Sequence, residues 1–273
     1  MNGFIIALAV IAALIVIILL AYLLVFVRPR GRKPEDSALL CDYAHRGLFG
    51  NGLPENSLGA FERACQEGYG IELDVQLSRD GVVMVFHDYT LNRMTGVEKK
   101  LCELDADELK NISLGGTDEK IPTFEEVLAL VNGRVPLLVE LKGENLDTSL
   151  CPKVAQLLKE YKGPYCIESF NPLLIKSIKK YLPNAYIGQL YTNVCKDKKK
   201  YSALNIALSL MALNFLATPD FIAYNHKCRK SLPVCIATGL YRAPKFVWTI
   251  KTDEGVEIAH KNGEHPIFER EWK

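Results

Sequence analysis

The hydrophobic pattern divides the chain into one long apolar run followed by a series of short ones. Phe4 to Val27 contains no charged residue, and as a helix it spans about 36 Å, enough to cross a bilayer with some tilt. Arg28 to Asp36 is a polar linker with two prolines and a glycine. Leu39 to Ala44 then predicts a short buried strand. Asn56 or Ser57 caps a helix with apolar positions at Leu58, Phe61, Ala64 and Cys65, and Gly68-Tyr69-Gly70 ends it. In Ile71 to Leu77 the apolar Ile71, Leu73, Val75 and Leu77 alternate with Glu72, Asp74 and Gln76, so a strand there carries both carboxylates on one face.

Asp80-Gly81 marks a turn, and Val82 to Phe86 predicts a third strand ending in His87. Asp88 to Lys120 is an irregular polar insertion. Thr123, with Glu126 three residues on, caps a helix reaching Val131. Val135 to Lys142 is the fourth strand, in which Glu140 and Lys142 share the face opposite Leu137, Val139 and Leu141. Strand and helix alternate again at Tyr165 to Phe170 with Pro172 to Tyr181, and at Ala185 to Leu190 with Tyr201 to Leu216. Phe221 to Tyr224 and Phe246 to Ile250 supply the seventh and eighth strands. Alternation of this kind predicts an α/β fold, a TIM (β/α)8 barrel with an insertion after strand 3. One irregularity stands out: the link from Asp74 to Val82 is too short for a crossover helix.

Charge narrows the function. Lys plus Arg number 33 and Asp plus Glu 32, so the chain has no overall field for nucleic acid. The 273 residues suit one large domain and a small addition. A cleaved signal peptide is the rival reading of the apolar run. Against it, no Lys or Arg precedes the run, no small-residue cleavage site follows, and the run is long for the purpose. The expected organisation is a transmembrane helix over residues 1–27, a linker over 28–37 and the barrel over 38–273. Arg28, Arg30, Arg32 and Lys33 follow the span and only Met-Asn-Gly precedes it, which places the barrel on the cytoplasmic side. Eight cysteines without a Cys-x-x-Cys pair fit reduced, mostly buried thiols and carry no zinc motif.

The candidate chemistry collects where strands end, at the C-terminal rim of such a barrel. His45 ends the first strand, Glu72 and Asp74 lie towards the end of the second, His87 ends the third, and Glu140 with Lys142 ends the fourth. A single histidine or carboxylate is ordinarily packing or an ion pair; four neighbouring strands sending ionisable groups to one quarter of one rim make a site. Three carboxylates in one mouth repel one another unless a cation sits between them. Oxygen ligands suit a hard divalent ion, Mg²⁺ or Ca²⁺. Arg46 and Lys142 then stand as surplus positive charge for an anion, the Arg fork matching phosphate, and two histidines can serve as general base and general acid. The Gly47 to Gly52 loop either brings backbone close to a phosphate or is only a turn.

These residues stand in an ordered motif series: His-Arg-Gly, Pro-Glu-Asn-Ser, Glu-Leu-Asp-Val-Gln-Leu-Ser-Arg-Asp-Gly, Val-Phe-His-Asp, Ile-Pro-Thr-Phe-Glu-Glu-Val-Leu, Val-Glu-Leu-Lys, Glu-Ser-Phe-Asn-Pro and Val-Trp-Thr-Ile. The series resembles that of the glycerophosphodiester phosphodiesterase family and runs from His45 to Thr249. The resemblance implies a TIM barrel, one divalent metal ion, and hydrolysis of glycerophosphodiesters to an alcohol and glycerol 3-phosphate. It makes His45 and His87 the acid–base pair, Glu72, Asp74 and Glu140 the metal ligands, and Arg46 and Lys142 the phosphate holders. It sets Glu55 close to the site, Trp248 at the substrate end, and the 88–120 insertion over the mouth. The closing Gly263-Glu-His-Pro-Ile-Phe departs from the family's Asp-rich ending, which puts the C-terminal packing in question.

The expected partners are a small or lipid-derived glycerophosphodiester and the membrane. One alternative is lysophospholipase D-type hydrolysis of lysophospholipids on the same fold, suggested by the anchor and by the apolar helix 203–216, which is otherwise an ordinary barrel helix. Another is a catalytically silent, membrane-tethered barrel that binds phosphorylated ligands; five intact acid and histidine positions argue against it.

Overall fold

The structure, a computed structural model, describes residues 2–143 and 146–270. Helix α1 (Asn2–Ala21) runs into a π-helical turn at Tyr22–Phe26, and side chains from Phe4 to Leu20 are exposed along it. As Gly3–Phe26 this helix is long and apolar enough to cross a membrane, and the same features suit a signal sequence. The chain then descends into alternating strands and helices. These are β1 (Tyr43–Ala44), α2 (Leu58–Glu67), β2 (Gly70–Leu77), β3 (Val83–Val85), α3 (Asn92–Thr95), α4 (Ala106–Leu109) and α5 (Phe124–Val131). Next come β4 (Leu137–Leu141), α6 (Leu150–Glu160), β5 (Tyr165–Ser169), α7 (Pro172–Tyr181), β6 (Tyr186–Tyr191), α8 (Val194–Asp197), α9 (Ala203–Ser209) and α10 (Asn214–Ala217). The last are β7 (Phe221–Asn225), α11 (Leu232–Cys235), β8 (Lys245–Ile250), α12 (Asp253–Lys261) and β9 (His265–Phe268).

Eight parallel strands close into a TIM barrel in the order β1, β2, β4, β5, β6, β7, β8, β9, and β9 pairs back onto β1. The closed barrel is as expected, but its staves are not. The Val82 to Phe86 segment is no stave: among the described residues β3 pairs with one strand, β2, and antiparallel, with a single bridge from Met84 to Thr123 on its other side. The short link forces this, because a parallel return needs a crossover of a dozen or more residues. Ser78 Oγ binds Asp80 Oδ1 at 2.6 Å and Gly81 takes φ 80°, which completes the tight reversal. The eighth stave is instead β9, the segment whose packing the family pattern left in question. It sits between β8 and β1, and the preceding Glu264, buried, accepts from Tyr224 Oη at 2.6 Å and from Arg229 Nε and Nη2 at 2.8 Å each.

Two further differences are local. The expected first strand from Leu39 shrinks to Tyr43–Ala44 because Ser37–Leu39 forms a 3-10 turn capped by Asp36. The expected helix Tyr201 to Leu216 breaks between α9 and α10, where Met211 takes φ 50°. The predicted caps are in place: Ser57 accepts from Ala60 N, and Thr123 and Glu126 form a capping box on α5. The 88–120 insertion is more ordered than its polarity suggests, holding α3, α4 and a small core of its own around Leu91, Leu101 and Leu109.

Alternation along each stave sorts the side chains. Ile71, Leu73 and Val75 face outward into a layer with Phe61, Ala64 and the other helices. Tyr43, Leu138, Cys166, Tyr186, Phe221 and Phe246 fill the barrel's interior below the mouth. Gly188 is required there, since a Cβ would fall 2.1 Å from the Phe221 ring. Phe246 lies 4.5 Å from the Phe221 centroid and 5.9 Å from that of Tyr43. Phe246→Ala is therefore expected to lower unfolding free energy by about 3–5 kcal/mol, read by denaturant titration.

Candidate active site

The register of the staves builds the site. Asp74 pairs with Glu140, and Glu140 with Glu168, so three acids from β2, β4 and β5 lie in one row across the interior, with Glu72 two residues before Asp74. All four are buried. Ligand oxygens of Glu72, Asp74 and Glu140 lie within 4.8 Å of one another, a group able to hold a metal ion. At that spacing two carboxylates repel by about 3.5 kcal/mol at an effective dielectric near 20. Only cations can make such a cluster tolerable.

Two cations are built in. Lys142, just beyond β4, puts Nζ 3.2 Å from Asp74 Oδ1 and 3.0 Å from Glu140 Oε1. Arg46 takes φ 57°, a left-handed conformation rare for a long side chain. That turn lets its backbone N–H donate to Glu72 Oε2 at 2.9 Å, while Nη1 donates to Glu55 at 2.7 Å and Nε lies 3.7 Å from Asp74. The expected surplus of positive charge is thus already engaged by acids. Gly47, also left-handed, is needed for packing: a Cβ would sit 2.8 Å from the Phe61 ring and 3.1 Å from Ala60 backbone. This glycine answers to helix α2.

The two histidines are held in the same manner from different directions. His45 Nδ1 shares a 2.7 Å hydrogen bond with Glu269, and its Nε2 lies 3.9 Å from Glu72 Oε2. His87 Nδ1 shares a 2.6 Å hydrogen bond with Asp88. Gln76 Nε2 pins this segment by donating to the carbonyls of Phe86, His87 and Asp88. Arg93, from the insertion, ties the two sides together by donating to Asp88 at 2.5 Å and to Glu55 at 2.6 Å. Trp248 stands apart from the charged group. Its Nε1 donates to Ala223 O at 3.1 Å, and its ring meets Phe170 edge-on at 5.6 Å.

Five neighbours of the predicted residues escaped sequence reasoning. Asp88 and Asn56, whose Nδ2 donates to Asp74 Oδ2 at 2.9 Å, sit inside quoted motifs and were within reach. Glu168 shows as an acid inside a buried strand. Arg93 and Glu269 carry no local signal, because only the folded insertion and barrel closure bring them in.

Burial and crowding set the ionisation. Burial, then Asp74, Glu140 and Glu168, push Glu72 well above the usual carboxylate range. Burial raises Glu140 to about 7, partly opposed by Lys142 and reinforced by Asp74. Burial followed by Glu140 and Asp74 likewise raises Glu168. Asp74 goes the other way: burial would raise it, but Lys142, His87, Arg46 and the Asn56 hydrogen bond hold it low. Burial lowers His87 despite nearby Asp74. Glu269 falls to about 2, as its bonds to His45 and Lys251 overcome burial. Among the described residues, Asp74 Oδ1 makes no hydrogen bond in spite of nearby Lys142, and Glu168 Oε2 makes none either. The donor set therefore fits a hard divalent cation, which would replace protons on acids that hold them only because they are crowded.

A TIM barrel with this mouth defines a hydrolase suited to a phosphorylated substrate. Comparison with known proteins narrows the class. Residues 45–269 match the glycerophosphoryl diester phosphodiesterase family. A glycerophosphodiester phosphodiesterase of Caldanaerobacter subterraneus subsp. tengcongensis is 32% identical over 231 residues, covering 81% of this chain and 89% of that one. A Bacillus altitudinis glycerophosphodiester phosphodiesterase is 34% identical over 172 residues, 58% of this chain and 69% of its own. Among solved structures, an Oleispira antarctica phosphodiesterase in complex with the product sn-glycerol-3-phosphate superposes with a TM-score of 0.70 at 25% identity, covering 85% of this chain and 94% of that chain. The chain belongs to the glycerophosphoryl diester phosphodiesterase family and is an enzyme of that kind.

The acid cluster makes metal affinity depend on pH with a definite sign. Because Glu140 is raised to about 7 and Glu72 is raised as well, a cation must displace protons below that pH. Calorimetric titration with Mg²⁺ or Ca²⁺ should show affinity falling roughly tenfold per pH unit for each proton displaced as pH drops below about 7. Equal affinity at pH 5.5 and 8 would contradict this ligand set.

Proposed function

We propose that the chain is a membrane-anchored, divalent-metal-dependent glycerophosphodiesterase that hydrolyses glycerophosphodiesters to an alcohol and glycerol 3-phosphate. The observation that carries this is the triad of buried acids on adjacent staves, flanked by two histidines each tied through Nδ1 to a carboxylate. Those carboxylates, Glu269 and Asp88, fix each ring and leave Nε2 as its free nitrogen. One Nε2 takes a proton from the attacking hydroxyl and the other returns one to the leaving oxygen. Overall one water is consumed: its oxygen joins phosphorus, the bond from phosphorus to the alcohol oxygen breaks, and the alcohol leaves with a proton. Glu72, Asp74 and Glu140 would hold a divalent ion, which would supply charge to polarise the phosphoryl group. Arg46 and Lys142 stabilise charge developing on the remaining phosphate oxygens. Glu55 accepts from both Arg46 and Arg93 and sets the Arg46 guanidinium's direction, and Trp248 forms the apolar end of the mouth beside Phe170.

The full-length chain, purified in detergent, should release glycerol 3-phosphate from glycerophosphocholine or glycerophosphoethanolamine with Mg²⁺ or Ca²⁺ and stop with EDTA. His45→Ala and His87→Ala should each lower turnover by a factor on the order of 10² or more. Near-normal turnover in both variants would rule out paired histidine catalysis.

We also infer that α1 is retained as a single span with the barrel on the cytoplasmic side, supported by the basic residues at 28, 30, 32 and 33. The stretch expected as a loose linker is laid against the barrel: Val27 is buried, Arg30 N–H donates to Pro219 O at 2.7 Å, and Arg32 reaches Ala185 O at 2.9 Å. Cys102 and Cys235 are exposed thiols. A membrane-impermeant maleimide should therefore label them in lysed but not in intact cells; labelling in intact cells would reverse the orientation.

A further inference from the structure

A cavity of about 1390 Å³ opens directly off the mouth. At one end it is lined by His87, Glu140, Lys142 and Gln189; at the other by Leu173, Leu204, Leu208, Met211, Leu213 and Leu216. A glycerophosphodiester with a small alcohol is polar throughout and has no use for the second end. The volume also exceeds the roughly 300–1,000 Å³ of ordinary small-ligand pockets. An open apolar wall of this length is unfavourable in water unless something apolar covers it.

The wall's position says what covers it. The α9–α10 segment that forms it is also the seat of the membrane helix. Tyr22 Oη donates to Leu210 O at 2.9 Å, Phe26 meets Phe215 edge-on at 5.4 Å, and Asn214 Nδ2 donates to Val27 O at 2.9 Å. The same segment leaves Leu204 60% and Phe215 41% exposed. Lys196, Lys198, Lys199 and Lys200 stand exposed just before it, suited to lipid headgroups. An apolar wall joined to the foot of a membrane span, with a cationic rim before it and a phosphate-sized polar end beyond it, has the polarity of a single-chain phospholipid. Resting on the glycerophosphodiesterase function above, we propose that this cavity binds one long acyl chain of the substrate, taken from the bilayer past α9–α10 while the phosphodiester lies at the His87–Lys142 end.

The chain can belong to either side of the phosphodiester: esterified to the glycerol, as in lysophosphatidylcholine, or amide-linked to the leaving alcohol, as in N-acyl glycerophosphoethanolamine. The test uses the full-length chain in phosphatidylcholine nanodiscs. It measures kcat/KM for glycerophosphocholine and for hexanoyl, octanoyl and decanoyl members of both acyl series. Partition into the nanodisc raises kcat/KM with chain length in the native chain and its variants alike, so the acyl site is read from the part of the advantage that a wall substitution removes, and the series that loses more identifies the end that faces the wall. Leu208→Arg should lower the decanoyl advantage at least tenfold, with folding checked by its thermal midpoint. Leu204→Arg, at an exposed position that tolerates charge, serves if the first variant does not fold. Independently of turnover, a lysophosphatidylcholine with a terminal diazirine should cross-link within residues 204–216.

If glycerophosphocholine is hydrolysed but neither variant changes the chain-length advantage, and labels fall on α1 alone, the acyl site is overturned and the phosphodiesterase stands. If nothing is hydrolysed but labels map to 204–216 and are lost in the variants, the acyl site stands and the phosphodiesterase function falls.

Discussion

Repulsion among buried carboxylates is the constraint on which this mouth depends. The parallel register that aligns Asp74 with Glu140 and Glu140 with Glu168 places like charges side by side in a low-dielectric interior. The surroundings respond with whatever positive charge the chain can aim there. Lys142 bridges Asp74 and Glu140, Arg46 takes a left-handed backbone from which its N–H meets Glu72 and its guanidinium lies near Asp74, and Asn56, also at positive φ, donates to Asp74. Even so, Glu72, Glu140 and Glu168 retain protons more tightly than free carboxylates do. Glu72, Asp74 and Glu140 remain a group able to hold a metal ion.

Two segments outside the acid-bearing staves set the positions of the histidines. The β3 arm folds back on β2, with Phe86 N–H bonded to Asp74 O at 2.9 Å, and thereby carries His87 and Asp88 to the mouth. Closure by β9 brings Glu269 beside His45, and His45 N–H itself donates to Phe268 O at 2.9 Å. Each histidine is thus oriented by a carboxylate from the element that also fixes its backbone. Arg93 links Asp88 to Glu55 and through it to Arg46, so the insertion helps position the site as well as bordering it.

The N-terminal end of the chain belongs to the same architecture. Arg30 and Arg32 lie 3.8 and 3.4 Å from buried Asp220 at the start of β7, and the foot of α1 rests on α9–α10. Ion pairs reaching a buried acid resist separation more than exposed ones, since breaking them strands a charge. The barrel is therefore held in a defined attitude to the helix, with its apolar cavity adjoining the foot of α1.

Period-two alternation in Ile71 to Leu77 and Val135 to Lys142 was enough to place Glu72, Asp74, Glu140 and Lys142 on inner faces, and cap residues at Ser57 and Thr123 marked helix starts. These are local effects of backbone geometry, and the motif order from His45 to Thr249 carried them to a family. Which strands became staves was not local. The Val82 to Phe86 run is as apolar as any stave, and only the short reversal before it and the lack, among the described residues, of a partner strand beyond β2 make it an arm. Conversely His265–Phe268 is short and begins with His-Pro, weak as a strand by composition, yet pairing on both sides makes it the stave that closes the barrel. The sequence by itself determined the inward-facing acids, the histidines and the apolar helix, because residue type and spacing act within a few residues. Tertiary structure alone decided that Glu269 and Arg93 join the site, that Arg46 and Lys142 are already paired, and that the cavity wall meets the N-terminal helix, because those contacts join segments that only barrel closure brings together.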